Sequence, residues 1–182
     1  MARKRIFDER RAEAAVRELL EAVGLGGEER LAETPSRVAR MLPEILEGVF
    51  KEDETLEILP GGDTPVLLRD IRFFALCEHH LLPFFGTATV GYVPDGGRIT
   101  GLGSLVRLVD LVSRHLTLQE HLTETLADRI EEALRPKGVF VQVEADQLCI
   151  MMRGPRTAAK TTTTARRGIC LEAEGMALLL GA

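Results

Sequence analysis

Residues Val66–Val93 read VLLRDIRFFALCEHHLLPFFGTATVGYV. Two runs in it, Val66–Leu76 and Gly86–Val93, are rich in Val, Ile, Phe and Thr and predict strands. Between and overlapping them lies ALCEHHLLPFFG, Ala75–Gly86, in which a cysteine, a glutamate and two adjacent histidines interrupt an otherwise apolar run. Polar groups in such a setting are costly unless something satisfies them. The stretch therefore raises the fold and the chemistry together.

Upstream, Ala12, Ala15, Val16, Leu19, Leu20 and Val23 recur at helical spacing over residues 8–23, and Gly24 to Gly27 end that helix. A second helix starts at Thr34-Pro35, with Thr34 as N-cap and Pro35 in the first position. Its apolar stripe is Val38, Met41, Leu42, Ile45, Leu46 and Val49, with Pro43 as a point of kinking. Arg37 and Arg40 share another face.

Downstream, the turn Pro94-Asp95-Gly96-Gly97 leads into a strand over Arg98–Leu102. Helices follow over Ser104–Leu116 and Leu118–Leu134. Pro136-Lys137-Gly138 breaks the pattern, and Val139–Val143 opens a last long strand carrying Cys149. The threonine run 161–164 is β-prone. The chain reads as an α+β protein: an N-terminal helical arm over residues 1–50, then a domain over 51–182. That domain is an antiparallel sheet with two consecutive helices on one face.

Composition narrows function. A net charge of −5 is wrong for general nucleic-acid binding but leaves room for a local basic pocket. With no Trp and one Tyr, a base-stacking single-strand binder is not encoded. No run approaches 18 apolar residues, so no membrane span is expected. The charged start MARKRIFDERR shows no secretory pattern, and three cysteines make no disulfide framework; a reducing, cytoplasmic setting is expected.

Cys77 and His80 stand in C-x-x-H spacing, close enough to reach one ion from a tight turn, and thiolate and imidazole are ligands Zn²⁺ favours. The same spacing suits a buried small cysteine and core histidines. Cys149, in DQLCIMMRG, adds a third ligand from a neighbouring strand. Three protein ligands leave a tetrahedral position open, the catalytic pattern. On an unbroken strand Gln147, Cys149, Met151 and Arg153 would share a face.

Taken together, ETPSRVARM, CEHHLLPFFG, GTATVGYVPDG, GLGSLVRLV, LQEHLT and LCIMMRG resemble GTP cyclohydrolase I across roughly residues 30–168. That family opens the imidazole ring of GTP, releases C8 as formate and recloses the product as 7,8-dihydroneopterin triphosphate. The resemblance implies Cys77, His80 and Cys149 as zinc ligands and His79 as a general acid/base. It implies Glu120, preceded by Gln119, as the reader of the guanine N1–H and 2-amino group. Arg37, Arg107 and Arg153, with Arg40, would hold the triphosphate. It also implies the tunnelling fold, assembled into a toroidal homodecamer whose active sites lie between subunits.

Three positions depart from the family pattern. Gln147 stands where the family has histidine, and an amide cannot exchange a proton near neutral pH. Gly103 replaces a serine implicated in the sugar rearrangement. Ser104 replaces a phosphate-contacting lysine. These departures leave three enzymatic readings: the complete reaction, one stopping at a ring-opened formamidopyrimidine or its deformylated product, or one acting on another purine nucleotide. A non-catalytic nucleotide-binding paralogue is the alternative from another class. The tail CLEAEGMALLLGA lacks the charged helix that commonly closes the family's chain.

Overall fold

A computed structural model describes residues 6–51 and 56–181. The chain divides into two compact units, Met1–Glu52 and Asp53–Ala182.

In the first unit, α1 (Glu9–Ala22) starts at Asp8, whose carboxylate accepts from Arg11 N at 3.0 Å. It ends before Gly24, which adopts φ 78°. The second helix, α2 (Thr34–Ile45), packs against α1. Glu33 rather than Thr34 holds its capping position, and Thr34 is the first helical residue. The stripe expected to run on to Val49 is broken, because the helix stops two residues after Pro43 and resumes as the single turn α3 (Glu47–Phe50). Phe50 packs edge-on against Phe7 at 5.7 Å.

The second unit carries two sheets. The small one pairs β1 (Leu59–Pro60) with β4 (Arg98–Ile99). The strand expected over 98–102 ends at Ile99, because Gly101 already caps the next helix. The large sheet has the order β5-β2-β3-β6-β7. Its strands are β2 (Val66–Cys77), β3 (Pro83–Val93), β5 (Leu116–Thr117), β6 (Gly138–Gln147) and β7 (Lys160–Gly168). The long strands pair antiparallel, as expected, but β5 joins β2 in parallel at Leu76 and Cys77. Between Leu68 and Ile71 the β2–β3 register slips, with Asp70 at φ 59°. Further along, β3 and β6 approach so closely that a Cβ on Gly86 would stand 1.9 Å from Glu144 O.

Two consecutive helices, α4 (Leu102–Ser113) and α5 (Gln119–Leu134), cover one face. Leu105 and Val109 of α4 and Leu122, Leu126 and Ile130 of α5 meet Phe73, Val90, Val141 and Val143 of the sheet in one core. Alternation along β3 sends Phe84 into that core and Phe85 to the other face, where it stacks on the exposed Phe74. The tail, expected to lack the charged helix that commonly closes the family's chain, forms α7 (Ala173–Leu180), in which Glu174 is the one charged residue. Leu179 and Met176 of α7 pack with Leu67, Val93 and Phe140, the opposite side of the sheet from the main core.

One expectation that bears on the site fails. The strand from Gly138 does not continue through Cys149; it ends at Gln147, and residues Leu148–Met151 form the helical turn α6. Met152 N donates to Leu148 O at 3.1 Å and Thr157 N to Ile150 O at 3.1 Å, turning the chain back. It returns as β7, where the threonine run pairs with Gln142–Ala145. Residues 147, 149, 151 and 153 therefore do not share a strand face. Among the described residues no helix is long and apolar enough to cross a membrane.

Candidate active site

The turn from β2 to β3 is built around Cys77. Its N–H donates to Leu82 O at 2.9 Å, and its carbonyl accepts from Leu81 N at 2.9 Å and His80 N at 3.4 Å. Glu78 N donates sideways to Thr117 O of β5 at 3.2 Å. Leu81 closes the turn at φ 56° with its side chain 63% exposed. A branched-at-γ residue held there without burial in return is strained, and such strain collects at functional sites.

This turn and α6 bring together Cys77, His80 and Cys149, whose ligand atoms all lie within 4.8 Å of one another. Tetrahedral zinc with these donors spaces them at roughly 3.8 Å, so small side-chain adjustments suffice. Neither cysteine is in a disulfide. Two thiols and an imidazole fit zinc, and the set has room for one more ligand. His79 stands with its ring perpendicular to that of His80, centroids 6.1 Å apart. Arg153 Nη1 lies 2.8 Å from His80 Nε2. A guanidinium only donates, so positive charge sits directly against the cluster, where an anionic ligand would be favoured.

Around the start of α5 a second group forms. Gln119 is 3% exposed; its Nε2 donates to Val143 O and Thr161 O, both at 2.9 Å, while its Oε1 accepts from Gln147 Nε2 at 2.7 Å. Thr123 Oγ1 donates to Gln119 O at 2.7 Å and lies 2.6 Å from Thr163 Oγ1. Gln119 thus spends its side chain on the fold, whereas Glu120, next to it in the first turn, is exposed. A third group lies at the start of α4. Ser104 is buried and its hydroxyl accepts from Arg107 Nη2 at 2.9 Å. A Cβ on Gly103 would meet only Arg107 Nη1, at 3.4 Å. Arg37 and Arg40 lie on α2 of the first unit, both exposed.

The sequence left several contributors unread. Leu81, Thr117, Thr123 and Thr163 carry no motif signal; only Thr123, one helical turn after Gln119, had a spacing that could have suggested its bond.

An open three-ligand set of two thiols and an imidazole, on a sheet backed by two helices, is the donor arrangement of a metal-dependent hydrolytic enzyme. The family model described as GTP cyclohydrolase I matches residues 12–177. GTP cyclohydrolase 1 of Streptomyces coelicolor is 49% identical over 184 residues, covering 96% of this chain and 92% of that protein. That of Streptomyces avermitilis is 51% identical over 170 residues, covering 89% and 84%, and that of Clostridioides difficile 45% over 183, covering 94% and 96%. Among solved structures, an archaeosine synthase QueF-Like in the apo form aligns at a TM-score of 0.49 and 20% identity, over 59% of this chain and 96% of its own. The chain belongs to the GTP cyclohydrolase I family.

Proposed function

We propose that this chain opens the imidazole ring of GTP at C8, releases C8 as formate and yields 7,8-dihydroneopterin triphosphate. The observation that carries the reading is the Cys77–His80–Cys149 cluster with a coordination position to spare, in a chain of this family. Zinc held there would supply an activated water. His79, outside the cluster and beside it, is the group to exchange protons with the purine imidazole and the leaving nitrogen. Glu120 accepts from guanine N1–H and the 2-amino group, and its carboxylate needs both to be donors, which adenine does not offer. Arg153, already against the cluster, takes a phosphate oxygen, with Arg107, Arg37 and Arg40 as further holders of the triphosphate. Gln119 supports Glu120 rather than contacting the base itself, since its donors and acceptor are engaged.

A second reading has a specific observation behind it. Gln147 cannot relay a proton, no hydroxyl stands at Gly103, and Ser104 is tied to Arg107. The ribose rearrangement and ring closure are the steps that would lack groups, so the reaction would stop at a ring-opened formamidopyrimidine or its deformylated product. The family also suggests a tunnelling fold closed into a homodecamer with active sites between subunits, working in the cytoplasm.

Both readings are separated by incubating zinc-loaded protein with GTP and following formate and pterin fluorescence independently. Formate with fluorescence supports the complete reaction. Formate alone supports the truncated one, and Gln147→His should then gain pterin formation if the deficit lies at that position. Neither product, with GDP, GMP and other purines also inert, would overturn the enzymatic reading. Chelation should abolish formate release and zinc restore it.

A further inference from the structure

The hydrogen bonds around Gln147 fix which way two amides point. Gln119 has one terminal atom 2.9 Å from both Val143 O and Thr161 O. Carbonyls only accept, so that atom is nitrogen and both its hydrogens are spent. The oxygen of Gln119 then faces Gln147 at 2.7 Å, and because it only accepts, the Gln147 atom there is nitrogen too. The backbone thus dictates both orientations. Gln147, half-buried, keeps its carbonyl oxygen and one N–H for other partners.

Gln119 is the first residue of α5, and its carbonyl is held by Thr123, which also meets Thr163 of β7. Side chains therefore fasten the first turn of α5 onto β6 and β7, with Glu120 on the exposed side of that turn. On its other side Gln147 ends β6 and leads within two residues to Cys149. We infer that Gln147 is a positioning residue: its N–H ties the helix turn bearing Glu120 to the strand end that delivers a metal ligand, and so sets discrimination for guanine. What Glu120 contacts rests on the cyclohydrolase reading above; that Gln147 holds the turn does not. Without the N–H, Gln119 keeps a buried oxygen with no donor, and the turn can shift to find one.

Methionine at 147 keeps the bulk and cannot donate, whereas histidine can donate through one ring nitrogen. The test compares Gln147→Met and Gln147→His with the unaltered protein, each loaded with Co²⁺. Expected for Gln147→Met is an unchanged thiolate–cobalt absorption band, a KM for GTP raised about tenfold with a smaller change in kcat, and a comparably reduced preference for GTP over ITP, which lacks the 2-amino group. Amide exchange in the peptide 118–126 should also quicken. Gln147→His should keep the GTP-over-ITP preference and the exchange within about threefold of the unaltered protein. Wild-type discrimination and exchange in Gln147→Met would overturn the inference, as would loss of the cobalt band in step with GTP binding, which would assign Gln147 to the metal. If the unaltered protein binds no GTP, the cyclohydrolase reading fails, and the exchange rate alone still decides whether Gln147 holds α5.

Discussion

Leu81 shows how much of a site can hang on one backbone angle. At φ 56° it turns the chain so that Leu82 O meets the Cys77 N–H. The N–H groups of Leu81 and His80 reach the Cys77 carbonyl, and the two candidate ligands Cys77 and His80 share one turn. The left-handed region costs a γ-branched residue about 1–2 kcal/mol, and an exposed side chain recovers little of it. Leu81→Asn, which tolerates that region, should raise stability by about 0.5–1 kcal/mol in urea unfolding. Leu81→Val should lower it by about 1–2 kcal/mol and weaken Co²⁺ binding, because β-branching resists the same angle. Equal stability for the two variants would mean the turn is not held by this residue. Cysteine and histidine at C-x-x-H spacing were legible in the sequence because ligand chemistry is written in side-chain type. Leu81 was not, because backbone angles are chosen by the hydrogen bonds a turn can close rather than by residue type.

Elements were legible where one periodicity ran unopposed. The apolar spacing of Leu105, Leu108 and Val109, then of Leu122, Leu126 and Ile130, gave both long helices of the second unit, since each buries a single face on the sheet. Strand β7 was read only as β-prone, because its alternate threonines carry no apolar signal; pairing with β6 decides it. The turn α6 was missed for a related reason. Leu148–Met151 is apolar throughout, and a short apolar run fits strand and helix equally. Strand β7 is also fastened by charge: Arg167 bonds Glu124 and Asp128 of α5, with Glu131 at 3.8 Å. Glu124 and Asp128 push the Arg167 guanidinium above its ordinary pKa, so it stays charged throughout the working range. The cluster is partly solvated, which discounts its value. Arg167→Met should cost about 1 kcal/mol at low salt and clearly less at 1 M salt. A loss unaffected by salt would point to packing instead.

At the scale of the molecule, stability has an alkaline limb written into its second core. Cys170 is fully buried, and burial pushes its thiol up, with Arg166 pulling weakly the other way. Below its ordinary value, near pH 9, folded and unfolded chains both keep the proton and the group contributes no slope. As pH rises past that value the unfolded thiol ionises first, so stability falls until the folded thiol follows. Unfolding free energy should therefore decline above about pH 9 at up to ~1.4 kcal/mol per pH unit. Cys170→Ala should flatten that decline while lowering the neutral plateau; a decline unchanged in slope would assign it elsewhere. The same unit contains a constraint of another kind. Strand β5 spans two residues, yet it meets Leu76 and Cys77 in register, and Thr117 takes the N–H of Glu78. The link from α4 to α5 thus behaves as a gauge. One residue added there would present the opposite pleat to Cys77, so this connection should resist the changes in length that surface loops ordinarily absorb.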